Sequence, residues 1–241
     1  MGINTEHMST GHAGTGGVWI IVPAFNESAV IGEVVTQLCS VFSHVVCVDD
    51  GSSDDTAAAA LSAGAHVVRH PVNLGQGAAI QTGVEYARRQ PGAEVFATFD
   101  ADGQHRVTDV VAMIDRLARA DVEIAIGTRF DGSAVSRTPT LKKLILRTAA
   151  WLSPSSRRLG LTDAHNGLRV FNRTVADNLT LTMNGMSHAS EFISLIDENG
   201  WRVAEVPVEI LYTDYSMSKG QPLLNGVNIV FDGFLRGRMR R

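Results

Sequence analysis

The first half of the chain alternates short apolar runs with segments in which apolar residues recur at helical spacing. The runs predict four buried strands, at residues 18–23, 44–50, 66–69 and 95–99. The helical spacing predicts three helices between them, at residues 29–38, 57–63 and 78–89. Strands that alternate with helices in this way favour an α/β fold, with a mainly parallel central sheet and helices on both faces.

The second half continues this pattern less regularly. It predicts two further helices, at residues 107–120 and 188–199, and two further strands, at residues 122–127 and 201–208. Residues 161–171 add a polar turn followed by a short strand. Residues 140–152 carry an apolar stripe flanked by basic residues, one of which is Arg147. Such a basic amphipathic helix lies on a membrane surface in one interpretation and packs on the sheet in the other.

Polar residues stand at the ends of three of the predicted strands, namely Asn26, Asp50 and Asp100. Parallel sheets bind their ligands beyond the carboxyl ends of the strands, so these residues predict a binding site at one edge of the sheet. The chain contains neither Gly-x-Gly-x-x-Gly nor a Walker A motif. This disfavours a dinucleotide cofactor and a P-loop nucleotide hydrolase.

The turn that follows the fourth strand is rich in oxygen ligands. Asp100, Asp102 and Gln104 together suit Mg²⁺ or Mn²⁺, and such an ion would stabilise a departing nucleotide diphosphate. An ordinary turn is the alternative, because Asp and Gly are common turn residues. An EF-hand loop does not fit, because Arg106 stands at its required glycine and Val111 at its bidentate glutamate.

Composition narrows the class of protein. A chain of 241 residues with 44% hydrophobic residues can bury the core of one domain, and a net charge of −4 gives no support for a nucleic-acid partner. Cys39 and Cys47 form no metal-binding pattern, which indicates a reduced, cytosolic compartment. No run reaches the about 18 consecutive apolar residues that a membrane span requires.

The two ends of the chain differ from its middle. Residues 1–17 are polar and lack the apolar segment of a signal peptide, which predicts a disordered tail. Residues 222–241 combine an apolar stretch with a cluster of arginines at the very end. This second tail either associates with anionic lipid or is a disordered basic terminus.

Six short motifs resemble, in order, the signatures of family 2 glycosyltransferases of the GT-A fold. They are IVPAFNE at 21–27, VDDGSSD at 48–54, NLGQG at 73–77, DADGQH at 100–105, GTRF at 127–130 and EVPV at 205–208. The chain is most similar to the polyprenyl-phosphate sugar synthases, which include dolichyl-phosphate mannosyltransferase. The resemblance implies a GT-A nucleotide-diphospho-sugar transferase domain over residues 18–221.

Carried over residue by residue, the resemblance implies a donor site at the strand ends. The residues around the nucleoside would be Pro23, Phe25, Glu27, Val48 and Asp50, with the Asp50 carboxylate facing the base. The ligands of the Mg²⁺ or Mn²⁺ ion would be Asp100, Asp102 and Gln104, beside a backbone contact from Ala101. The residues expected to act in catalysis are Asp102 and two cations that bind donor and acceptor phosphates, Arg129 and Lys219.

The resemblance also implies polyprenyl phosphate as the acceptor and inversion at the sugar. A lipid phosphate is already anionic and needs no catalytic base, whereas a hydroxyl acceptor does. The candidates for the acceptor site are Arg137, Arg147, Asp163, Arg169 and Glu191. Glu191 is either a base for a hydroxyl acceptor or a sugar ligand, or an acid that the dipole favours in the first turn of a helix.

The identity of the donor is left open by one departure from the family pattern. Thr213 stands where dolichyl-phosphate mannosyltransferases carry an arginine, which favours a UDP-sugar such as UDP-N-acetylhexosamine, with GDP-mannose as the alternative. The implied setting is the cytoplasmic face of the plasma membrane. There a peripheral enzyme, alone or with a separate small integral-membrane partner, would make a lipid-linked sugar for cell-envelope glycans.

Two rival functions follow from the same residues. One is a family 2 glycosyltransferase that acts on a hydroxyl group. The other is a non-catalytic GT-A protein that binds a nucleotide sugar. The presence of Asp50, Asp100, Asp102, Gln104 and Arg129 argues against the second, because a protein that only binds need not keep metal ligands.

Overall fold

The computed structural model describes residues 15–119, 121–129, 154–163, 166–183 and 187–211. Several predictions concern residues outside these ranges. They are the first 14 residues of the tail predicted at 1–17, the helix at 140–152, the tail at 222–241, and the side chains of Arg137, Arg147, Thr213 and Lys219.

Seven strands and seven α-helices lie within the described ranges, after a short 3-10 helix at Thr15–Gly17. The strands are β1 (Val18–Ala24), β2 (His44–Asp49), β3 (His66–Arg69), β4 (Val95–Thr98), β5 (Ile124–Thr128), β6 (Arg169–Asn172) and β7 (Val203–Pro207). The helices are α1 (Ile31–Cys39), α2 (Thr56–Ser62), α3 (Gln76–Arg88), α4 (Val107–Leu117), α5 (Pro154–Arg158), α6 (Arg173–Asn178) and α7 (Ser187–Asn199). The strands and helices predicted for the first half of the chain are all present.

The strands form one sheet in the order β3-β2-β1-β4-β6-β5-β7. Every neighbouring pair is parallel except the two that involve β6, which runs antiparallel to β4 and to β5. The mainly parallel sheet expected from the sequence is therefore confirmed. Because β6 is reversed, its first residue, Arg169, lies at the same edge of the sheet as the carboxyl ends of the other strands.

Helices cover both faces of the sheet, as the apolar runs predict. On one face, Ile20 and Val22 of β1 belong to the same buried cluster as Val34 and Leu38 of α1. On the other face, Ile21 joins a cluster that contains residues of α3 and α7. The central strands are thus buried on both faces, and only the loops at their ends reach solvent.

Helix α3 packs very closely on β1. A Cβ atom added at Gly83 would lie 2.4 Å from Cγ2 of Ile21, whereas one added at Gly32 of α1 would meet nothing within 4 Å. We expect Gly83→Ala to destabilise the protein by about 1–3 kcal/mol, because the helix must move off the sheet. Gly32→Ala is the matched control and is expected to be neutral or to stabilise by up to about 1 kcal/mol.

The measurement is urea unfolding of both variants and the wild type. Equal free energies of unfolding for Gly83→Ala and the wild type would contradict the close packing of α3 on β1.

Candidate active site

The loop after β1 is joined to the loop after β2 by hydrogen bonds through Asn26. Its backbone N–H donates to Ser52 Oγ (2.9 Å), and its side-chain oxygen accepts from the Ser53 N–H (2.9 Å). Asn26 has a φ of 54°, a conformation that asparagine tolerates better than most residues. The next residue, Glu27, donates its N–H to Thr56 Oγ1 (2.8 Å). These hydrogen bonds fix the loop. Phe25, at the start of the loop, is 43% exposed to solvent.

Asp50 joins the loop after β2 to the loop after β3. Its Oδ1 accepts from Nδ1 of His70 (2.7 Å) and from the Leu74 N–H (2.9 Å), and its Oδ2 accepts from the Gly75 N–H (2.7 Å). The side chain is almost fully buried. The sequence analysis expected this carboxylate to face a nucleobase, and in the structure its oxygens accept three hydrogen bonds from the protein.

Two other residues expected near the nucleoside lie inside the fold. Pro23 is buried in β1, and the Val48 side chain is part of the core between β2 and α3. Phe25 and Glu27, by contrast, lie on the loop at the sheet edge. Of the predicted nucleoside contacts, the structure therefore brings Phe25 and Glu27 to the surface of the site.

Asp100 lies at the centre of the carboxyl edge. Its Oδ2 accepts from Nε2 of His105 (3.0 Å), and its Oδ1 accepts from Nε2 of Gln76 at the start of α3 (3.0 Å). A Cβ atom at Gly167 would lie 2.1 Å from Asp100 Oδ2, so only glycine leaves room for the carboxylate there. Asp102 follows in the same turn, and its Oδ1 accepts from the backbone N–H of Gln104 (3.0 Å).

The two carboxyl groups of this turn differ in their pKa values. Burial would raise the pKa of Asp100, but the hydrogen bond from His105 and the nearby Arg169 guanidinium hold it below the usual value. Burial and the negative charge of Asp100 raise the pKa of Asp102 to about 6. Two acidic groups that repel each other in a partly buried turn fit a divalent cation, whose charge would relieve that repulsion.

Arg129 is held at the end of β5 by Asp163. The Asp163 carboxylate accepts from Nε and Nη2 of Arg129 at 2.6 Å each and from its backbone N–H at 3.0 Å. The Asp163 side chain is only 1% exposed and that of Arg129 14%. Asp163, which was a candidate for the acceptor site, therefore contacts Arg129 directly and fixes the plane of its guanidinium group.

Arg169 is buried beneath the same edge, with a relative exposure of 1%. Its guanidinium carbon lies 4.7 Å from the centre of the Phe192 ring. Nε and Nη2 have no hydrogen-bond partner within the described part of the chain. Burial lowers the pKa of Arg169 to about 10, although Asp100 and Asp163 partly offset this effect. Arg169 therefore places a fixed positive charge near both aspartates.

Glu191 lies one turn into α7 and contacts the preceding segment. Its carboxylate accepts from the Thr182 N–H (3.0 Å), the Thr182 hydroxyl (2.6 Å) and the Met183 N–H (2.8 Å). Met183 in turn packs against α3, because a Cβ atom at Gly77 would lie 2.3 Å from its carbonyl oxygen. Glu191 thus holds the segment that leads to α7 against the start of α3.

Several residues of the site were not assigned a contact on the sequence alone. Gln76 and Glu205 occur in two of the six motifs, and those motifs were the signal that could have identified them. His70 carries no such signal, because only the folded loops bring it to Asp50.

The raised pKa of Asp102 makes stability depend on pH in metal-free protein. The folded chain holds this proton up to a pH of about 6, whereas the unfolded chain releases it near 3.8, the usual pKa of an aspartate. This contribution to the free energy of unfolding is therefore complete below pH 3.8, the pKa in the unfolded chain. It is lost as the pH rises toward about 6, the pKa in the folded chain. We expect the free energy of unfolding of the wild type to fall relative to Asp102→Asn across this interval.

The measurement is urea unfolding at a series of pH values with a chelator present. In Asp100→Asn the pH range over which stability falls should narrow, because burial still raises the Asp102 pKa but the charge of Asp100 no longer does. If the free energies of unfolding of the wild type and Asp102→Asn differed by the same amount at every pH, the Asp102 pKa would not be raised.

Comparison with known proteins identifies the family. The glycosyl transferase family 2 model matches residues 19–180. A protein of Methanocaldococcus jannaschii is 34% identical over 218 residues, which cover 89% of each chain. The UDP-N-acetylglucosamine–dolichyl-phosphate N-acetylglucosaminyltransferase of Methanococcus voltae is 28% identical over 89% of this chain and 93% of its own. The polyprenol monophosphomannose synthase of Mycolicibacterium smegmatis is 28% identical over 92% of this chain and 88% of its own.

Solved structures agree on the fold. The glucosyl-3-phosphoglycerate synthase of Mycobacterium tuberculosis, in complex with Mn²⁺, UDP-glucose and phosphoglyceric acid, matches with a TM-score of 0.69 at 19% identity. The match covers 88% of this chain and 75% of that one. The resemblance found in the six motifs is confirmed, and the chain belongs to glycosyl transferase family 2, a glycosyltransferase with a GT-A fold.

Proposed function

We propose that this glycosyltransferase moves a sugar from a nucleotide-sugar donor to polyprenyl phosphate, with inversion at the anomeric carbon. The names of the Methanococcus voltae and Mycolicibacterium smegmatis relatives support a lipid-phosphate acceptor. The observation that carries this choice is the Glu191 carboxylate, which already accepts hydrogen bonds from Thr182 and Met183. A carboxylate engaged in this way is poorly placed to deprotonate a hydroxyl acceptor.

The donor would bind across the carboxyl edge of the sheet. Asp100 and Asp102, with Gln104, would hold Mg²⁺ or Mn²⁺, and the bound ion would offset the charge of the diphosphate. A structural relative was solved with Mn²⁺ and a UDP-sugar, which supports this assignment. The nucleoside would lie beside Phe25 and Glu27, and the backbone of Ala101 would contact the nucleotide.

The acceptor phosphate would attack directly. An oxygen of the lipid phosphate forms a bond to the anomeric carbon, the bond from that carbon to the donor diphosphate breaks, and the nucleoside diphosphate leaves. One displacement inverts the configuration. Arg129, held by Asp163, would bind phosphate oxygens, and the buried Arg169 would add positive charge below them. Positioning and charge neutralisation then supply most of the catalysis.

The remaining cations are proposed on the sequence alone. Lys219 would bind phosphate, and Arg137 and Arg147 would lie toward the acceptor. We retain residues 18–221 as the catalytic domain and 222–241 as a segment that associates with the membrane. Across the parts of the chain that the structure describes, no helix is both long and apolar enough to cross a bilayer.

The proposed place of action is the cytoplasmic face of the plasma membrane, where polyprenyl phosphate presents its head group. A separate small integral-membrane protein is a proposed partner. A UDP-sugar is the favoured donor, because Thr213 departs from the mannosyltransferase pattern and because one relative is named for UDP-N-acetylglucosamine. GDP-mannose is the second candidate.

The first test asks which donor labels a lipid. Purified protein is incubated with Mn²⁺ or Mg²⁺, polyprenyl phosphate in detergent and a panel of radiolabelled UDP- and GDP-sugars. We expect a metal-dependent, mild-acid-labile product in the organic phase, reduced at least about 100-fold in Asp102→Ala because a metal ligand is lost. Asp55→Ala, a substitution on the loop before α2, serves as a control for general damage. Donor binding without any labelled lipid would contradict the proposed acceptor.

The second test separates the lipid-phosphate acceptor from a hydroxyl acceptor. Glu191→Gln keeps one side-chain oxygen for the N–H groups of Thr182 and Met183 but has no basic carboxylate. If the acceptor is a phosphate, kcat should fall by less than about tenfold, because no proton has to be removed. A loss of about 100-fold or more in kcat, with donor affinity unchanged, would identify Glu191 as a base and favour the hydroxyl acceptor.

A further inference from the structure

Strands β5 and β7 lie side by side, and two glutamates anchor this part of the sheet, one just before β5 and one in the middle of β7. At the amino end, Glu123 accepts from the backbone N–H (2.7 Å) and Nε (3.1 Å) of Arg202. Toward the carboxyl end, Glu205 of β7 binds a different segment. Its Oε1 accepts from the backbone N–H groups of Thr162 (2.7 Å) and Asp163 (2.8 Å).

The Glu205 contact is completed by the Thr162 side chain. The Thr162 hydroxyl donates to Glu205 Oε2 (2.8 Å) and lies 3.1 Å from the hydroxyl of Thr128, the last residue of β5. Both oxygens of Glu205 are therefore engaged by residues 162 and 163. The backbone that carries Asp163 is fixed to β7 by this one carboxylate.

The fixed backbone determines where Arg129 lies. Asp163 accepts three hydrogen bonds from Arg129, two of them from the guanidinium group. Contacts thus run without a break from Glu205 to the backbone of Asp163, to its carboxylate, and to the guanidinium group of Arg129. Removing Glu205 would free the backbone of Asp163 and, with it, the support of Arg129.

Charge in this region also matters for anion binding. One buried aspartate, Asp163, lies near two arginines, Arg129 and Arg169. The group of three therefore keeps a positive charge even though Arg129 is paired. An arginine side chain loses rotamer entropy when it binds, so holding it in place beforehand lowers the cost of binding a phosphate.

We infer that Glu205 is a positioning residue for phosphate binding, acting through Asp163 to hold Arg129. This inference rests on the proposed function, in which Arg129 binds the diphosphate of the donor. The alternative is that Glu205 only stabilises the fold. Glu123 provides the comparison, because its carboxylate also accepts a backbone N–H beside β7 but binds Arg202 at the opposite edge of the sheet.

The experiment titrates the full chain, in the presence of Mn²⁺, with UDP and with GDP by calorimetry. We expect Glu205→Ala to weaken binding of the nucleoside diphosphate about tenfold, as is typical when a supporting partner of a binding residue is removed. Glu205→Gln should retain most of the affinity, because its amide oxygen still accepts from the Thr162 and Asp163 N–H groups. Glu123→Ala should bind as the wild type does.

A double-mutant cycle provides the decisive comparison. If Glu205 acts through Arg129, Glu205→Ala should cause no further loss of affinity in the Arg129→Ala background. Full additivity of the two losses would overturn the inference, as would equal losses in Glu205→Ala and Glu123→Ala. Either result would leave the proposed function in place.

A second measurement needs no ligand. The Nε–H proton of Arg129, assigned by the absence of its signal in Arg129→Lys, should exchange with solvent about tenfold faster in Glu205→Ala but not in Glu123→Ala, because it loses a buried acceptor. Unchanged exchange in Glu205→Ala would overturn the inference. If the wild type bound neither UDP nor GDP, the proposed function would fail, and this exchange measurement would still decide whether Glu205 holds Arg129.

Discussion

The carboxylate of Asp50 connects the loops on which most of the site depends. It sits in the interior at the end of β2 and accepts hydrogen bonds from His70, Leu74 and Gly75. A buried carboxylate without partners is costly, whereas one with three donors is stable and fixes the geometry of those donors. Because the loop after β3 leads directly into α3, Asp50 also determines where Gln76 meets Asp100.

Around that framework, charge is arranged in a way that suits anions and a cation at adjacent places. The turn with Asp100 and Asp102 carries two acidic groups that repel each other, while Arg129 and Arg169 lie toward β5 and β6. The protein interior screens charges weakly, so each group strongly affects its neighbours. This arrangement of charges is what the proposed donor, a nucleotide diphosphate with a metal ion, would require.

Much of this arrangement can be predicted from the sequence. Periodicity located the strands and helices of the first half, and polar residues at strand ends located the edge where Asp100 lies. Periodicity does not reveal strand direction, so the reversal of β6 was not predicted. Arg169 therefore had no expected place beneath Asp100. The contacts of Asp50 and Glu205 could not be predicted from the sequence either, because each residue joins segments that only the complete fold brings together.

The ion pair between Arg129 and Asp163 affects how the sequence of this protein can diverge among relatives. These residues are 34 positions apart in the sequence, and their contact fixes both of them at the edge of the sheet. The entropy of closing a loop grows slowly, by about 0.6 kcal/mol for each doubling of length. Keeping this contact would therefore cost little more entropy in a relative with more residues between its two positions. Chimaeric enzymes could therefore be joined at Arg129 and Asp163, with segments of different length between them.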